Sequence, residues 1–163
     1  MTTYRIRPET AMEGAALRVL TETAFRPMRF SDDTEGAALD AMRRDGDLAL
    51  SLVADQDGPV GHVALSPATV GGQTGWYGLG PISVHPDHRR RGVGSALMRE
   101  AIAWARARAA KGVVLVGDPA YYSRFGFVGG LSWRDIEPAY VQHLSFGAEP
   151  QGAVVFAPAL DAA

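Results

Sequence analysis

The residues best suited to chemistry lie in one short segment, Arg-Arg-Arg-Gly-Val-Gly-Ser at residues 89–95. A strand pattern precedes this segment and an amphipathic helical pattern follows it, which predicts a strand–loop–helix junction. The start of a helix presents unpaired backbone N–H groups and the positive end of its dipole, and both favour an anion. Glycine has no Cβ to hold a phosphate away, and guanidinium groups add planar sets of donors. The segment therefore predicts an anion site made by Arg89, Arg90, Arg91, Gly92, Val93, Gly94 and Ser95.

Two other phosphate-binding motifs fit this segment poorly. The dinucleotide fingerprint requires a third glycine and an acidic residue about 20 residues later. Leu97 occupies the third glycine position, and Lys111 and Gly112 lie near the place of the acid. A P-loop requires Gly-Lys-Ser or Gly-Lys-Thr, which the chain lacks. A diphosphate with a further phosphate on its ribose, as in coenzyme A, matches the local positive charge better.

Composition excludes several classes of function. The chain has 163 residues, enough for one domain with its own core, and we treat residues 1–163 as a single unit. The absence of cysteine excludes thiolate metal sites and a covalent acyl-cysteine intermediate. A net charge of −2 disfavours nucleic acid as a partner. With no long apolar run and no secretion-signal pattern at the N-terminus, we expect no membrane partner and a cytoplasmic location.

The remaining patterns predict the elements that position the arginine–glycine segment. In chain order these are a strand at 4–7, helices at 10–25 and 34–44, strands at 48–54, 60–66 and 76–84, a helix at 93–109, a strand at 113–116, a short helix at 118–125, and strands around 127–133 and 153–156. Asp32 or Asp33 is a candidate N-cap of the second helix, and Gly46 is its predicted end.

The strand at 76–84 has an unusual interior, because Gly80 and Pro81 interrupt it. Proline cannot donate to a strand ladder, so we expect this strand to bulge or splay there rather than pair on both sides. Unpaired backbone groups would then face a cleft beside the arginine–glycine segment.

These motifs together resemble the GNAT superfamily of N-acetyltransferases. The pattern Arg89-x-x-Gly92-x-Gly94 follows Val84-His85-Pro86, and residues 121–127, Tyr-Tyr-Ser-Arg-Phe-Gly-Phe, look like the Tyr-x-x-x-Gly-Phe element of that superfamily. The phrases Gly-His-Val at 61–63, Gly-Leu-Gly-Pro at 78–81 and Gly-Asp-Pro at 117–119 suggest its YhbS-like branch. The resemblance implies an α/β (α+β) fold, with a mixed, mostly antiparallel sheet, a splayed central strand pair and flanking helices.

The resemblance also implies a reaction, in which an amine attacks acetyl-CoA directly in a ternary complex without a metal. Backbone groups of Ile82 and Val84 would pair with the pantetheine arm, while N–H groups of residues 90–95 hold the diphosphate. A backbone N–H near Ile82 or Ser83 would stabilise the oxyanion. Tyr122 matches the tyrosine that protonates the departing thiolate, and an ordinary pKa of about 10 keeps a tyrosine protonated at neutral pH.

The general base and the acceptor site complete this prediction. No carboxylate lies on the splayed strand, so His62 on the neighbouring strand is the candidate base, with an ordinary pKa of about 6.5. A structural histidine is the alternative. Phe25, Arg29 and Phe30 lie between the first two helices, where the superfamily builds its acceptor site. His85 and His88 have a metal-like spacing, but the neighbouring arginines disfavour a cation.

Other functions remain open at this point. The cleft would also suit a coenzyme A-binding sensor that acetylates nothing, or an acyltransferase with a longer acyl donor or a hydroxyl acceptor. The acceptor itself is either a small-molecule amine or a protein amine, since fold does not determine it. Aromatic residues of the tail make a homodimer an expectation as well, namely Trp133, Tyr140 and Phe146.

Overall fold

Eight strands form one sheet in the computed structural model, which describes residues 4–28, 31 and 33–161. The strands are β1 Arg5–Pro8, β2 Leu50–Asp55, β3 Pro59–Val70, β4 Gln73–Val84, β5 Gly112–Val116, β6 Val128–Gly129, β7 Val141–Ser145 and β8 Val154–Val155. The helices are α1 Gly14–Phe25, α2 Glu35–Asp45, α3 Val93–Ala107, α4 Pro119–Tyr122 and α5 Pro158–Asp161. Short 3₁₀ turns follow β4 and α4, at Pro86–His88 and Ser123–Phe125.

The sheet has the order β1-β2-β3-β4-β5-β7-β6, and β8 pairs with β3 beside this path. Its neighbouring strands run antiparallel except for β4 and β5, which run parallel. This arrangement confirms the predicted fold class, a mixed and mostly antiparallel sheet with flanking helices.

The parallel pair separates partway along β4. Its ladder runs from Trp76 opposite Gly112 only as far as Gly78 opposite Val114, although β4 continues to Val84. The other edge of β4 stays paired with β3, with a register shift between Val63 and Leu65. The predicted splay at Gly80 and Pro81 is confirmed, and one edge of β4 lies beside an opening.

Alternating side chains of the central strands enter two different cores. Leu52 and Val63 pack with α3 on one face, and Val53 and Ala64 pack with α1 and α2 on the other. Helix α3 contributes five buried residues to the first core, Val93, Leu97, Met98, Ala101 and Ala105. The helices on both faces hold β3 and β4 in the middle of the sheet.

Several boundaries differ from the sequence prediction. Helix α1 begins at Gly14 rather than near residue 10, and Thr34 rather than Asp33 is the N-cap of α2, while Asp32 lies outside the described residues. The predicted end of α2 is confirmed, because Gly46 has the left-handed conformation with φ of 79°.

The tail holds the main difference in topology. The strand predicted at 127–133 is only β6, followed by an isolated bridge between Ser132 and Ala153. The strand that pairs with β5 is instead β7, which the prediction omits because Val-Gln-His-Leu-Ser has no clear apolar alternation. Gln142 of β7 is buried. Its side-chain N–H is satisfied there, because it donates to the carbonyl of Gly117 over 2.9 Å.

Close packing of α3 on β3 leads to a stability prediction for Gly61→Ala. A Cβ at Gly61 would lie 2.7 Å from Val93 Cγ1 and 3.1 Å from Leu97 Cδ1. We expect a loss of about 1–3 kcal/mol in the free energy of unfolding, as for other overpacked cores. Urea denaturation measures it. Gly14→Ala is the control, because its Cβ would make only ordinary contacts with Arg43, and equal losses in the two variants would contradict the prediction.

Candidate functional site

A cleft of about 1350 Å³ opens where β4 and β5 separate. The end of β4, the loop and first turn of α3, the start of α4 and the end of α1 surround it. Of the residues singled out from the sequence, the cleft is lined by Phe25, Ile82, Val84, Arg89, Arg90, Gly92, Val93, Gly94, Ser95 and Tyr122. The structure thus brings the two sequence motifs to one cavity.

The free edge of β4 presents backbone groups of alternate residues to this cleft. The N–H of His85 donates to the carbonyl of Val60, so the neighbouring Val84 and Gly61 form a non-hydrogen-bonded pair of the ladder. The N–H and C=O of Val84 therefore point away from β3, towards the side that β5 has left. Ile82 lies two residues earlier and points the same way. Both residues offer one donor and one acceptor to an extended ligand.

Ser83 lies between these two residues and has the opposite orientation. Its backbone faces β3, opposite His62, and its buried side chain is absent from the cleft lining. The structure does not bring Ser83 to the candidate site, because a strand directs successive residues to opposite sides. Of the two backbone N–H groups considered for the oxyanion, that of Ile82 faces the cleft.

The loop before α3 has the shape of an anion site. Arg90 and Gly92 both have left-handed backbone conformations, with φ of 64° and 80°, and Gly92 is the N-cap of α3. Left-handed residues in a turn gather successive N–H groups into a concave surface. The N–H groups of the first helical turn, including those of Gly94 and Ser95, have no acceptor within the helix. They are available to a phosphate group.

The three consecutive arginines do not act as one group. Arg89 Nη2 donates to the carbonyl of Ala24 at the end of α1, over 2.6 Å. Arg91 is exposed and outside the cleft lining, and its carbonyl accepts a hydrogen bond from the Tyr4 hydroxyl. Arg90 lines the cleft. Arg89 therefore lines the cleft together with Arg90 and also bonds to α1, whereas Arg91 lies on the outer surface.

Tyr122 lies on α4 and faces the cleft with a half-buried ring. The ring meets Tyr121 edge-on at 4.9 Å and Phe127 at 6.1 Å. Gly117 permits this position, since a Cβ there would overlap the Tyr122 ring. Burial, with smaller effects of Tyr121 and Asp118, raises the pKa of Tyr122 to about 12. Its hydroxyl therefore stays protonated well beyond neutral pH.

His62 lies one strand further from the cleft, on β3, and is fully buried. Its Nε2 is 2.7 Å from Ser51 Oγ, which in turn donates to Glu9, and Arg43 pairs with that carboxylate. This network is consistent with a neutral imidazole that donates from Nε2. Burial lowers the pKa of His62 to about 4. The structure does not bring His62 into contact with the cleft, because β4 lies between them.

The part of the cleft where the acceptor is expected contains residues that the sequence prediction omits. Of the predicted set, Phe25 lines the cleft, whereas Arg29 and Phe30 lie outside the described residues. Near Phe25 the cleft is also lined by Met28, Ser31 and Glu35. The Ser31 hydroxyl donates to Glu35 over 3.0 Å. The sequence offered no specific signal for this pair, because Ser31 and Glu35 are four residues apart, whereas a capping box has a spacing of three.

Neither a metal centre nor a membrane span emerges from the described parts of the chain. Within residues 4–28, 31 and 33–161, no three His, Asp or Glu side chains are grouped to hold a metal ion. Among the helices of those same ranges, none has the length and apolar character required to cross a membrane.

A splayed parallel strand pair beside a helix start with unpaired N–H groups is the arrangement expected of an acyltransferase of the acetyltransferase class. Residues 16–127 match the Acetyltransferase (GNAT) family, and the chain belongs to this family of N-acetyltransferases.

Named relatives agree with this assignment and with the YhbS-like branch. The N-acetyltransferase YhbS of Escherichia coli K12 is 41% identical over 125 residues, which are 75% of this chain and 72% of YhbS. A GNAT family acetyltransferase from Brucella melitensis, solved in complex with acetyl-CoA, is 44% identical, with a TM-score of 0.88 over 99% of this chain and 100% of that one. YhbS from E. coli in complex with CoA has a TM-score of 0.87 and 28% identity over 99% of this chain and 93% of its own.

Because burial lowers the pKa of His62, we expect the free energy of unfolding to depend on pH. With a pKa of about 4 in the folded chain and about 6.5 when unfolded, His62 takes up its proton only in the unfolded chain between these pH values. The contribution of His62 to the free energy of unfolding is therefore complete above pH 6.5, and it falls by about 3 kcal/mol as the pH drops to 4. Urea unfolding of the wild type and His62→Gln should show parallel pH dependence above pH 7. If the wild type and His62→Gln lost stability equally steeply below pH 6.5, the prediction would be contradicted.

Proposed function

We propose that this chain transfers the acetyl group of acetyl-CoA directly to an amine in a ternary complex. The free edge of β4 beside the glycine-capped start of α3 is the observation that carries the proposal. Acetyl-CoA and CoA occupy the Brucella melitensis and YhbS structures, which supports the same carrier here. The acceptor is a small-molecule amine or a protein amine.

The carrier binds in two parts. N–H groups of residues 90–95 hold the diphosphate, with Arg90 as the adjacent cation, and the pantetheine arm pairs with the backbone of Ile82 and Val84. Such strand addition uses main-chain hydrogen bonds and directs the arm along the sheet. The thioester is thereby directed towards Tyr122, which lines the same cleft. Positioning of this kind supplies much of the acceleration in a two-substrate reaction.

The amine nitrogen then attacks the thioester carbonyl carbon. A tetrahedral intermediate forms, and the N–H of Ile82 stabilises its oxyanion. When the intermediate collapses, the C–S bond breaks, and Tyr122 donates its hydroxyl proton to the departing sulfur. A tyrosinate with a pKa of about 12 recovers its proton from water. The products are the amide and coenzyme A.

The amine must lose a proton before or during the attack. His62 is an unfavourable partner for it, because its imidazole is buried behind β4 and its pKa is lowered. Glu35 is the half-buried carboxylate on the acceptor side of the cleft. We propose that cleft water takes this proton and that Glu35 attracts the cationic form of the amine.

The acid role of Tyr122 predicts a selective kinetic defect in Tyr122→Phe. We expect kcat to fall by about 10²–10³, because a general acid typically contributes that much, with little change in the KM of acetyl-CoA. Thiol release from acetyl-CoA with a panel of amines measures both. Tyr121→Phe, which removes the hydroxyl of the adjacent tyrosine, should change kcat by less than about threefold. A similar effect of both substitutions would contradict a specific role of Tyr122 as the proton donor. Absence of amine-dependent thiol release by the wild type would favour a coenzyme A sensor.

Substitutions at two glycines test whether the loop before α3 binds a phosphate. Gly92→Ala and Gly46→Ala place a Cβ on nearly identical left-handed backbones, with φ of 80° and 79°, and each should lose about 1 kcal/mol of stability. Only Gly92→Ala distorts the loop before α3, so it alone should weaken coenzyme A binding, by about tenfold. Calorimetric titration with coenzyme A measures this. Equal affinities in the two variants would contradict a phosphate site at Gly92.

A further inference from the structure

The arginines of this chain lie in two different surroundings. Around α1 and α2, Arg7, Arg18 and Arg43 pair with acidic side chains. Within the described residues, no ion pair involves the arginines of α3 or of the 3₁₀ turn after α4. Residues 86–126 contain eight basic and three acidic residues, although the whole chain has a net charge of −2. This segment therefore carries net positive charge, and among the described residues its α3 arginines and Arg124 have no ion-pair partner.

Three of these arginines share a second pocket on α3. Arg99, Arg106 and Arg124 line an open cavity of about 540 Å³, together with Phe125 and small or aliphatic residues of α3. Arg99 and Arg124 each lie over an aromatic ring, Phe125 at 5.9 Å and Tyr121 at 5.4 Å. A ring face contacts a guanidinium plane and leaves its N–H groups at the edge for an anion.

This pocket adjoins the cleft at Arg124, which lines both cavities. On α3, Arg99 lies four residues after Ser95 and therefore on the same side of the helix, about one turn or 5.4 Å along its axis. The arginines next to the loop are less suitable for a ligand that extends outwards. Arg89 is bonded to Ala24, and Arg91 lies outside the cleft lining.

We propose that Arg99 and Arg124 form a subsite for a terminal phosphate monoester, namely the 3′-phosphate of the nucleotide end of acetyl-CoA. The proposal rests on the proposed use of acetyl-CoA. A single ribose separates the diphosphate from the 3′-phosphate in this carrier, and one helical turn separates the loop amides from Arg99. The dianionic phosphate supplies the counterion that this side of the chain lacks. The enzyme should therefore distinguish coenzyme A from dephospho-coenzyme A.

Calorimetric titration with the two compounds tests the subsite. We expect the wild type to bind coenzyme A about tenfold more tightly than dephospho-coenzyme A at low ionic strength, with the ratio falling as salt is added. Arg99→Gln and Arg124→Gln should each reduce that ratio, and the double variant should bring it to about one. Their affinities for dephospho-coenzyme A should not change. Arg108→Gln is the matched control, because Arg108 is the C-cap of α3 and also lies over an aromatic ring, Trp104, but lines neither cavity.

The outcomes separate the subsite from the proposed function. A wild-type ratio near one, or equal weakening of both compounds in the variants, would overturn the subsite while coenzyme A binding itself persists. Failure of the wild type to bind either compound would overturn the proposed function. Inorganic phosphate should compete with coenzyme A more strongly than with dephospho-coenzyme A. Phosphate that binds without competing with either would show a separate anion site and would also overturn the proposal.

Discussion

The site depends on one constraint, which is that the ladder between β4 and β5 ends at Gly78 and Val114 while β4 continues. Beyond that point, the outward N–H and C=O groups of Ile82 and Val84 have no strand to pair with. Backbone groups in such a position require a partner, either solvent or a ligand. The helices and cores on both faces of the sheet hold β4 extended there. The structure thus maintains an unpaired strand edge at a fixed place, beside the start of α3.

Charge is distributed so that the two sides of the molecule behave differently. Ion pairs around α1 and α2, such as Arg43 with Glu9, neutralise both partners and leave little net field. The α3 side lacks such pairs among the described residues, and its arginines lie against aromatic rings instead. A net charge of −2 therefore conceals a locally positive surface. Local fields of this kind steer and hold anions even on proteins of opposite net charge.

Local rules were sufficient to predict much of the fold and the strand–loop–helix junction before α3 from the sequence. Gly80, Pro81 and the glycine at the start of α3 act through their own backbone conformations. Their effects on the strand and on the helix start can therefore be predicted from residue type alone. The positions of His62 and Ser83 depend instead on strand register and on which edge of β4 stays paired, and sequence spacing specifies neither. Strand β7 was omitted for a related reason. Its buried Gln142 is compatible with the core only because of a long-range bond to Gly117.

The bond from Arg89 to the carbonyl of Ala24 connects the two halves of the cleft. Ala24 lies at the end of α1, where unpaired carbonyl groups and the negative end of the helix dipole favour a cation. Arg89 begins the loop that leads to Gly92, and Phe25, the residue after Ala24, lines the cleft. Arg89 lines the cleft as well, so its guanidinium group adds positive charge there and also holds the loop against the end of α1. One side chain thereby links the two segments that border the cleft.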